Sequence, residues 1–150
     1  MIIMQFMNKD ILPRFVADSL AGRIRVMPAV IVTGIALHLA EGVEPDGPHL
    51  ENLVLSDLLA WRDTRLESSE LFYWRSTIGE DVDFVIETGG RLLPIEVKAS
   101  ARPRLGDARH LLTFRTEYGR KARAGLLLHT GNTLQWIAPD VLAAPWWYVL

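Results

Sequence analysis

Residues 81–98, DVDFVIETGGRLLPIEVK, carry the strongest structural signal in the chain. Apolar and polar side chains alternate on either side of Gly89-Gly90, as they do in two strands that each bury one face. Two consecutive glycines suit a tight two-residue hairpin turn, because both of its central positions need positive φ. The stretch therefore predicts a β-hairpin with strands at Asp81–Glu87 and Leu92–Lys98.

The length of the turn sets which residues of the two strands face each other. It places Asp83 opposite Glu96 and Asp81 opposite Lys98. The other face then pairs three sets of apolar residues, which supports this register: Val82 with Val97, Phe84 with Ile95 and Ile86 with Leu93. Directly opposed side chains have Cβ atoms about 4.5–5.5 Å apart, so two carboxylates there repel unless something compensates.

The polar face of the hairpin predicts a cation site. Asp83 and Glu96 supply hard oxygen ligands, and Lys98 projects from the same surface because it lies two residues beyond Glu96. Two acids beside a lysine are a common arrangement for metal-assisted hydrolysis of phosphodiesters. Asp81 has a different expected effect, since from its place opposite Lys98 it can hold the ammonium group in a salt bridge.

The composition fits one globular domain in a reducing compartment. The chain has 150 residues, 49% of them hydrophobic, and no cysteine, which excludes disulfides and thiolate-bound metals. Its longest apolar run, residues 29–40, is shorter than the roughly 20 residues that span a bilayer. Residues 1–10 lack the basic start of a signal peptide. We expect a cytoplasmic protein without a membrane partner.

Charge is unevenly distributed along the chain. Acidic side chains dominate residues 39–90, whereas residues 91–124 carry nine basic side chains against three acidic ones. A basic segment that begins at the predicted site suits a polyanion, so DNA is the expected partner, with phosphate contacts from Arg102, Arg104 and Arg109. The alternative is that these arginines line the solvated face of one helix and its flanking loops.

The rest of the pattern places helices and strands around the hairpin in an α/β order. Helices are expected from Pro48 to about Asp63, from Asp107 to Tyr118, and at residues 11–27. The other elements are expected to be strands of a mixed sheet at Leu71–Arg75, Ala124–His129 and Thr133–Ile137, and a short helical piece at Asp140–Ala143.

Glu51 stands on the buried side of the helix that begins near Pro48, in line with Val54, Leu55 and Leu58. Two interpretations are open. Glu51 complements the positive N-terminal end of the helix dipole, or it leans toward the hairpin as a further metal ligand or water-positioning acid.

The histidines and tryptophans give weaker signals. The four histidines show no paired spacing typical of metal ligands, so structural or exposed positions are expected for all of them. The five tryptophans are candidates for base stacking, but we expect most of them to fill the core or a dimer contact. Trp146-Trp147 is the best candidate for an exposed patch, which makes a homodimer a further expected assembly.

Several separated motifs resemble one known family. The segments HLENLVLSDLL, YWRSTIGEDVDFVIE, LPIEVKAS and LLLHTGN occur in order at suitable spacings. Residues 30–150 resemble the domain of unknown function found at the C-terminus of many prokaryotic AAA-type ATPases. The acids on helix and strands resemble those of the PD-(D/E)XK nuclease superfamily. The resemblance implies a restriction-endonuclease-like core, an α/β fold with a mixed β-sheet flanked by helices.

The resemblance also implies roles for the site residues. Asp83, Glu96, the backbone carbonyl of Val97 and Glu51 would hold Mg²⁺ or Mn²⁺, and Lys98 would orient or help deprotonate the attacking water. Glu51, Asp83, Glu96 and Lys98 are thus the implied catalytic residues. The implied function is that of a metal-dependent nuclease acting on DNA. The alternative is a catalytically inactive module that keeps the fold and binds nucleic acid or protein.

The chain departs from that family pattern before residue 30. Residues 1–29 resemble the helical segment that starts the ATPase domain, yet no G-x-x-x-x-G-K-[ST] phosphate-binding loop occurs in the sequence. Neither a nucleotide cofactor nor ATPase activity is therefore expected. We expect a nuclease-like domain at residues 30–150 that is the remnant of an ATPase-linked protein.

Overall fold

The computed structural model describes residues 2–5, 46–64 and 68–148. In these ranges the helices are α1 (Gly47–Thr64) and α2 (Arg109–Tyr118). The strands there are β1 (Ile2–Gln5), β2 (Ser69–Arg75), β3 (Asp81–Thr88), β4 (Arg91–Lys98), β5 (Gly125–His129), β6 (Gln135–Ala138) and β7 (Val141–Pro145). Short 3₁₀ turns cover Leu105–Ala108, Gly119–Lys121 and Trp146–Tyr148. The predicted helix at residues 11–27 and the predicted boundary between residues 29 and 30 lie outside the described residues.

The strands form one mixed sheet in the order β1-β2-β3-β4-β5-β7-β6. Neighbours from β1 to β4 are antiparallel, β5 is parallel to both β4 and β7, and β6 is antiparallel to β7. A parallel neighbour requires a crossover, and α2 lies in the connection between β4 and β5. The prediction of an α/β fold with a mixed sheet and flanking helices is confirmed. The edge strand β1 was not predicted.

The two helices pack on opposite faces of the sheet. On one face α1 buries Leu50, Val54 and Leu58 against strand residues that include Ile95 and Val97. On the other face α2 buries its apolar side against the rest of the core, where the ring of Phe114 meets that of Trp74 edge to face at 5.3 Å between centroids. Both faces of the central strands are therefore covered, which explains why β5 is buried along its whole length.

Helix α1 begins where its sequence predicts. Asp46 caps it, because its backbone carbonyl accepts from the N–H of Leu50 at 3.0 Å and its carboxylate Oδ1 accepts from the N–H of His49 at 3.1 Å. Pro48 occupies the first turn, where a missing N–H has no cost. The predicted helix from Pro48 to about Asp63 is thus confirmed, with one more residue at each end.

The hairpin forms in the predicted register next to its turn. The backbone ladder pairs Phe84 with Ile95 and continues to Thr88 opposite Arg91. Gly89 and Gly90 adopt φ of 58° and 77°, the left-handed values that this turn requires.

A β-bulge interrupts β3 near its start. Phe72 of β2 pairs with Val85 but Trp74 pairs with Val82, so β3 carries one extra residue at Asp83 and Phe84. The bulge reverses the alternation, and Val82 packs in the α2-side cluster with Trp74 rather than beside Val97 in the α1-side cluster. The expectation that Val82 and Val97 share one face was therefore wrong.

The short helical piece predicted at residues 140–143 is also wrong. Asp140 stands in a turn with φ of 55°, and residues from Val141 onward form β7. Strand β7 pairs with β5 on one side and with β6 on the other. Val141 and Ala143 are fully buried in the cluster on the α2 side of the sheet. Alanine-rich segments favour helices only where no such pairing competes.

Candidate active site

Glu96 is the most unusual residue of the described structure, because it is a carboxylate only 3% exposed within the central sheet. Its Oε1 lies 2.7 Å from the Nζ of Lys98. Its Oε2 is buried and has no hydrogen-bond partner among the described residues. A buried carboxylate oxygen without a donor is costly, so the pocket around Glu96 is suited to a further positive group.

Asp83 lies in the bulge and joins the two strands through its side chain. Its Oδ2 accepts the backbone N–H of Val97 at 2.7 Å. The side chain thus takes a strand N–H just beyond the last backbone pair of the hairpin, Phe84 with Ile95. The Asp83 carboxylate therefore lies at the Glu96 end of β4.

Burial, together with neighbouring carboxylates, raises the pKa values of the acids. Burial raises the pKa of Glu96 from 4.5 to about 7, with a further contribution from the charge of Asp83, and Lys98 only partly opposes it. Burial likewise raises the pKa of Asp83, against the Val97 N–H and the Lys98 charge, which lower it. Burial by itself would lower the pKa of Lys98, but the hydrogen bond and charge of Glu96 outweigh it and leave the pKa raised. Carboxylates whose pKa values are raised by burial beside other acids are typical of functional sites.

Glu51 of α1 lies beside these acids. Burial raises the pKa of Glu51, and the nearby charge of Asp83 raises it further. Glu51 and Asp83 line the same cavity, which has a volume of about 250 Å³. Because Asp46 already caps the helix, the position of Glu51 favours the interpretation in which it leans toward the hairpin.

A salt bridge was expected between Asp81 and Lys98. Lys98 instead forms its ion pair with Glu96. Asp81 instead accepts the Tyr73 hydroxyl at 3.5 Å, and its Oδ1 lies 3.6 Å from the Nδ1 of His110. The reason is the bulge, which shifts Asp81 out of the simple hairpin alignment.

Tyr73 and His110 were missed as neighbours of the site. Strand alternation along β2 gives a partial signal for Tyr73, because β2 pairs with the bulged part of β3. His110 has no such signal in the sequence, since its approach to Asp81 depends on how α2 docks on the sheet.

The donor chemistry of the cluster fits a hard divalent cation. Asp83, Glu96 and Glu51 offer carboxylate oxygens, and the unpartnered Oε2 of Glu96 is a ready ligand atom. As the side chains stand, residues 46–64 and 68–148 contain no group of three or more His, Asp or Glu arranged to hold a metal ion. A complete coordination shell would therefore require small side-chain movements, a backbone carbonyl such as that of Val97, or water.

The predicted phosphate-binding residues are exposed. Arg102, Arg104 and Arg109 all lie on the surface after β4, and the Nε of Arg109 is 4.0 Å from Oε1 of Glu80. Another basic residue of the same segment, Arg115, has a structural role. Its guanidinium donates to the carbonyls of Ala122, Arg123 and Pro139 and to Asp140.

The other candidate residues divide between core and surface. His129 is fully buried, with Nδ1 accepting from the N–H of Gly131 and Nε2 bonded to the Thr133 carbonyl, so its role is structural. Trp74 fills the core, and Trp146 is only partly buried against the α1-side cluster. Trp147 is 47% exposed, which agrees with its predicted place in an exposed patch. Trp136 on β6 is more exposed, at 70%.

These features define an α/β protein with a mixed sheet and an acid–acid–lysine cluster around the buried Glu96 in its central strands. The chain belongs to the DUF4143 family, a domain of unknown function, whose pattern matches residues 46–149 and so more than half of the chain. That family is known from proteins associated with AAA ATPases. No curated protein and no solved structure matches the chain. Within the described residues, no helix combines the length and apolarity needed to cross a membrane.

Proposed function

We propose that this domain is a metal-dependent nuclease that hydrolyses phosphodiesters in DNA on a core of the PD-(D/E)XK type. The order α1, β2, β3, β4, α2, β5 supports the proposal, because it presents an acid on the helix, an acid on β3 and an acid and lysine on β4. The exposed arginines that follow β4 support a polyanionic substrate.

The observation that carries the proposal is the state of Glu96. A buried carboxylate with one oxygen on Lys98 and the other without a donor in the described structure is poorly compensated. Burial, followed by the charge of Asp83, raises its pKa to about 7. If this position had a purely structural role, a neutral side chain would fit the buried site better than a carboxylate. The carboxylate is therefore best explained by a charged ligand.

The chain's own residues have distinct proposed roles. Asp83, Glu96, the Val97 carbonyl and Glu51 would hold the ion. Bound Mg²⁺ or Mn²⁺ would supply Lewis acidity at a phosphoryl oxygen and lower the pKa of a bound water. Lys98 stays protonated beside Glu96, so its ammonium stabilises negative charge that develops on the phosphate in the transition state.

The proposal is tested by cleavage of plasmid and branched DNA during a Mg²⁺ or Mn²⁺ titration. The wild type is compared with Asp83→Asn and Glu96→Gln, which keep the shape of each side chain but remove its charge. We expect metal-dependent cleavage by the wild type and a loss of about 10²-fold or more in each variant, the range found for removal of one electrostatic catalytic group. Cleavage that survives both substitutions would exclude this site as its source.

A second function is favoured by two contacts that the cluster makes within the protein. Lys98 is paired with Glu96, and Asp83 accepts the Val97 N–H, so these groups already have protein partners. That arrangement suits an inactive module that keeps the fold and binds nucleic acid or protein. Salt-sensitive DNA binding without cleavage at any metal concentration would select this second function.

A further inference from the structure

The cavity of about 250 Å³ that Glu51 and Asp83 share lies between α1, Tyr73 of β2 and Asp83-Phe84 of β3. We infer that this cavity binds a single unpaired nucleobase next to the phosphate that the acids and Lys98 engage. The inference rests on the proposed function and adds to it a substrate class, namely DNA in which a nucleotide near the cleaved bond is unpaired.

Charge decides which part of a nucleotide can enter. The cavity is lined by two carboxylates, Glu51 and Asp83, and none of the described residues that line it is basic. Beyond the proposed cation, a phosphate would therefore find no positive partner in the lining. A base can enter, because its exocyclic amino groups donate hydrogen bonds and carboxylate lone pairs that the cation does not use accept them, as Glu and Asp do from cytosine N4.

The remaining wall suits a flat aromatic ring. Pro48, Leu55 and Phe84 contribute apolar surface, and Tyr73 contributes an aromatic ring. Stacking of a base on an aromatic side chain accepts any of the four bases, because every base has a π-face. The phenol of Tyr73 points toward Asp81, with its hydroxyl 3.5 Å from the Asp81 Oδ2, so a long hydrogen bond links the ring to the acidic end of β3.

Asn52 supplies an amide at the same wall. Its Nδ2 donates to the carbonyl of Pro48 at 2.8 Å, which holds the amide one turn into α1. Amide side chains recognise base edges through paired donor and acceptor atoms. Together, an aromatic ring, an amide and a carboxylate form the set of groups that reads a base rather than a sugar or a phosphate.

Size limits the occupant to one ring system. Small-molecule sites commonly have volumes of about 300–1,000 Å³, and this cavity of about 250 Å³ lies just below that range. A base that is stacked and paired in a duplex cannot reach a cavity, so it must be flipped out or already single-stranded. The domain should therefore prefer single strands, flaps or branch points to intact duplex.

The test uses the full chain and single-stranded DNA that carries one 2-aminopurine, whose fluorescence changes when its stacking changes. We expect a fluorescence change on binding and a loss of affinity of about 5- to 150-fold in Tyr73→Leu, the range that one base-stacking contact supplies. Asn52→Ala should weaken binding less. Tyr148→Leu is the matched control, because Tyr148 is an exposed tyrosine outside the cavity, and it should bind as the wild type does.

A fluorescence change that is equal in wild type and Tyr73→Leu would overturn the inference, as would tighter binding of duplex than of single strands. A fluorescence change that requires Mg²⁺ but is the same in wild type, Tyr73→Leu and Asn52→Ala would also overturn it, because the base would then not contact the cavity wall. Loss of DNA cleavage with the Tyr73-dependent signal intact would instead count against hydrolysis and leave the base site standing. Circular dichroism of each variant checks that the fold is retained.

Discussion

The two ends of the β3–β4 hairpin have the same kind of sequence but very different structures. At the turn end, regular pairing from Phe84 to Thr88 leads into two glycines with positive φ. At the other end a bulge interrupts β3, and an Asp83 oxygen, instead of a backbone carbonyl, accepts the Val97 N–H. Glu96 is buried there with an oxygen that lacks a partner among the described residues. Regular pairing stabilises the turn end. The acidic end holds charged groups in fixed positions at a cost in folding stability.

The largest contrast between the two ends should appear in DNA cleavage. Lys98→Ala removes the ammonium group at the acidic end, and we expect cleavage to fall by about 10²- to 10³-fold because charge on the phosphate loses its stabilising partner. Arg91→Ala removes a basic side chain from the turn end of the same strand and should leave cleavage within about twofold of wild type. Equal losses in the two variants would remove the distinction between the ends.

The pH dependence of stability should come from the acidic end. The pKa of Glu96 in the folded protein, about 7, lies above its ordinary value of 4.5, so between these values the folded state binds more protons than the unfolded state. The free energy of unfolding should therefore be highest below the lower value and should fall as pH rises through about 7. The expected total is on the order of 2–3 kcal/mol.

Urea unfolding between pH 4.5 and 8.5 measures this change. Glu96→Gln cannot titrate at this position and should flatten the profile, while Glu87→Gln near the turn end is the control and should preserve the wild-type slope. A wild-type profile that rises across the same window would contradict the burial of a poorly compensated carboxylate.

The turn end should respond in stability alone. Gly90 has φ of 77°, and Gly90→Ala places a Cβ in the left-handed region at a cost of about 1–2 kcal/mol. DNA cleavage at a temperature where the variant stays folded should be unchanged. Gly106→Ala is the matched control, because a Cβ there meets open space without positive φ, and its effect on the midpoint of urea unfolding should be negligible.

The smallest expected effects concern DNA affinity. Arg102→Ala, Arg104→Ala and Arg109→Ala should each weaken binding modestly for all sequences and reduce the slope of log affinity against log salt by about one. Arg91→Ala at the turn end should leave the slope as it is. Fluorescence anisotropy at several salt concentrations measures the slopes, and identical slopes in all four variants would remove these arginines from the DNA-binding surface.

The sequence predicts the turn end well because the information there is local. Two glycines and alternating apolar residues specify the turn and the register without help from the rest of the chain. Glu51 was also placed correctly on the inner side of α1, because helical periodicity depends only on neighbouring residues.

The acidic end could be predicted only in part. Asp83, Glu96 and Lys98 do come together, but the bulge depends on pairing with β2 and has no clear mark in the sequence. For this reason Asp81 was the expected partner of Lys98, whereas the observed partner is Glu96. For the same reason Val82 lies on the face of the sheet opposite to the predicted one. The misassigned β7 has the same origin, since its pairing with β5 involves residues distant in the chain.

The proposed cation site is tested most directly by anomalous diffraction from crystals soaked in Mn²⁺. We expect one strong peak within coordination distance, about 2.0–2.6 Å, of carboxylate oxygens from both Asp83 and Glu96, with the Oε2 of Glu96 among the ligands. A map without that peak, in which Glu96 stays on Lys98 and Asp83 stays on the Val97 N–H at saturating Mn²⁺, would contradict it.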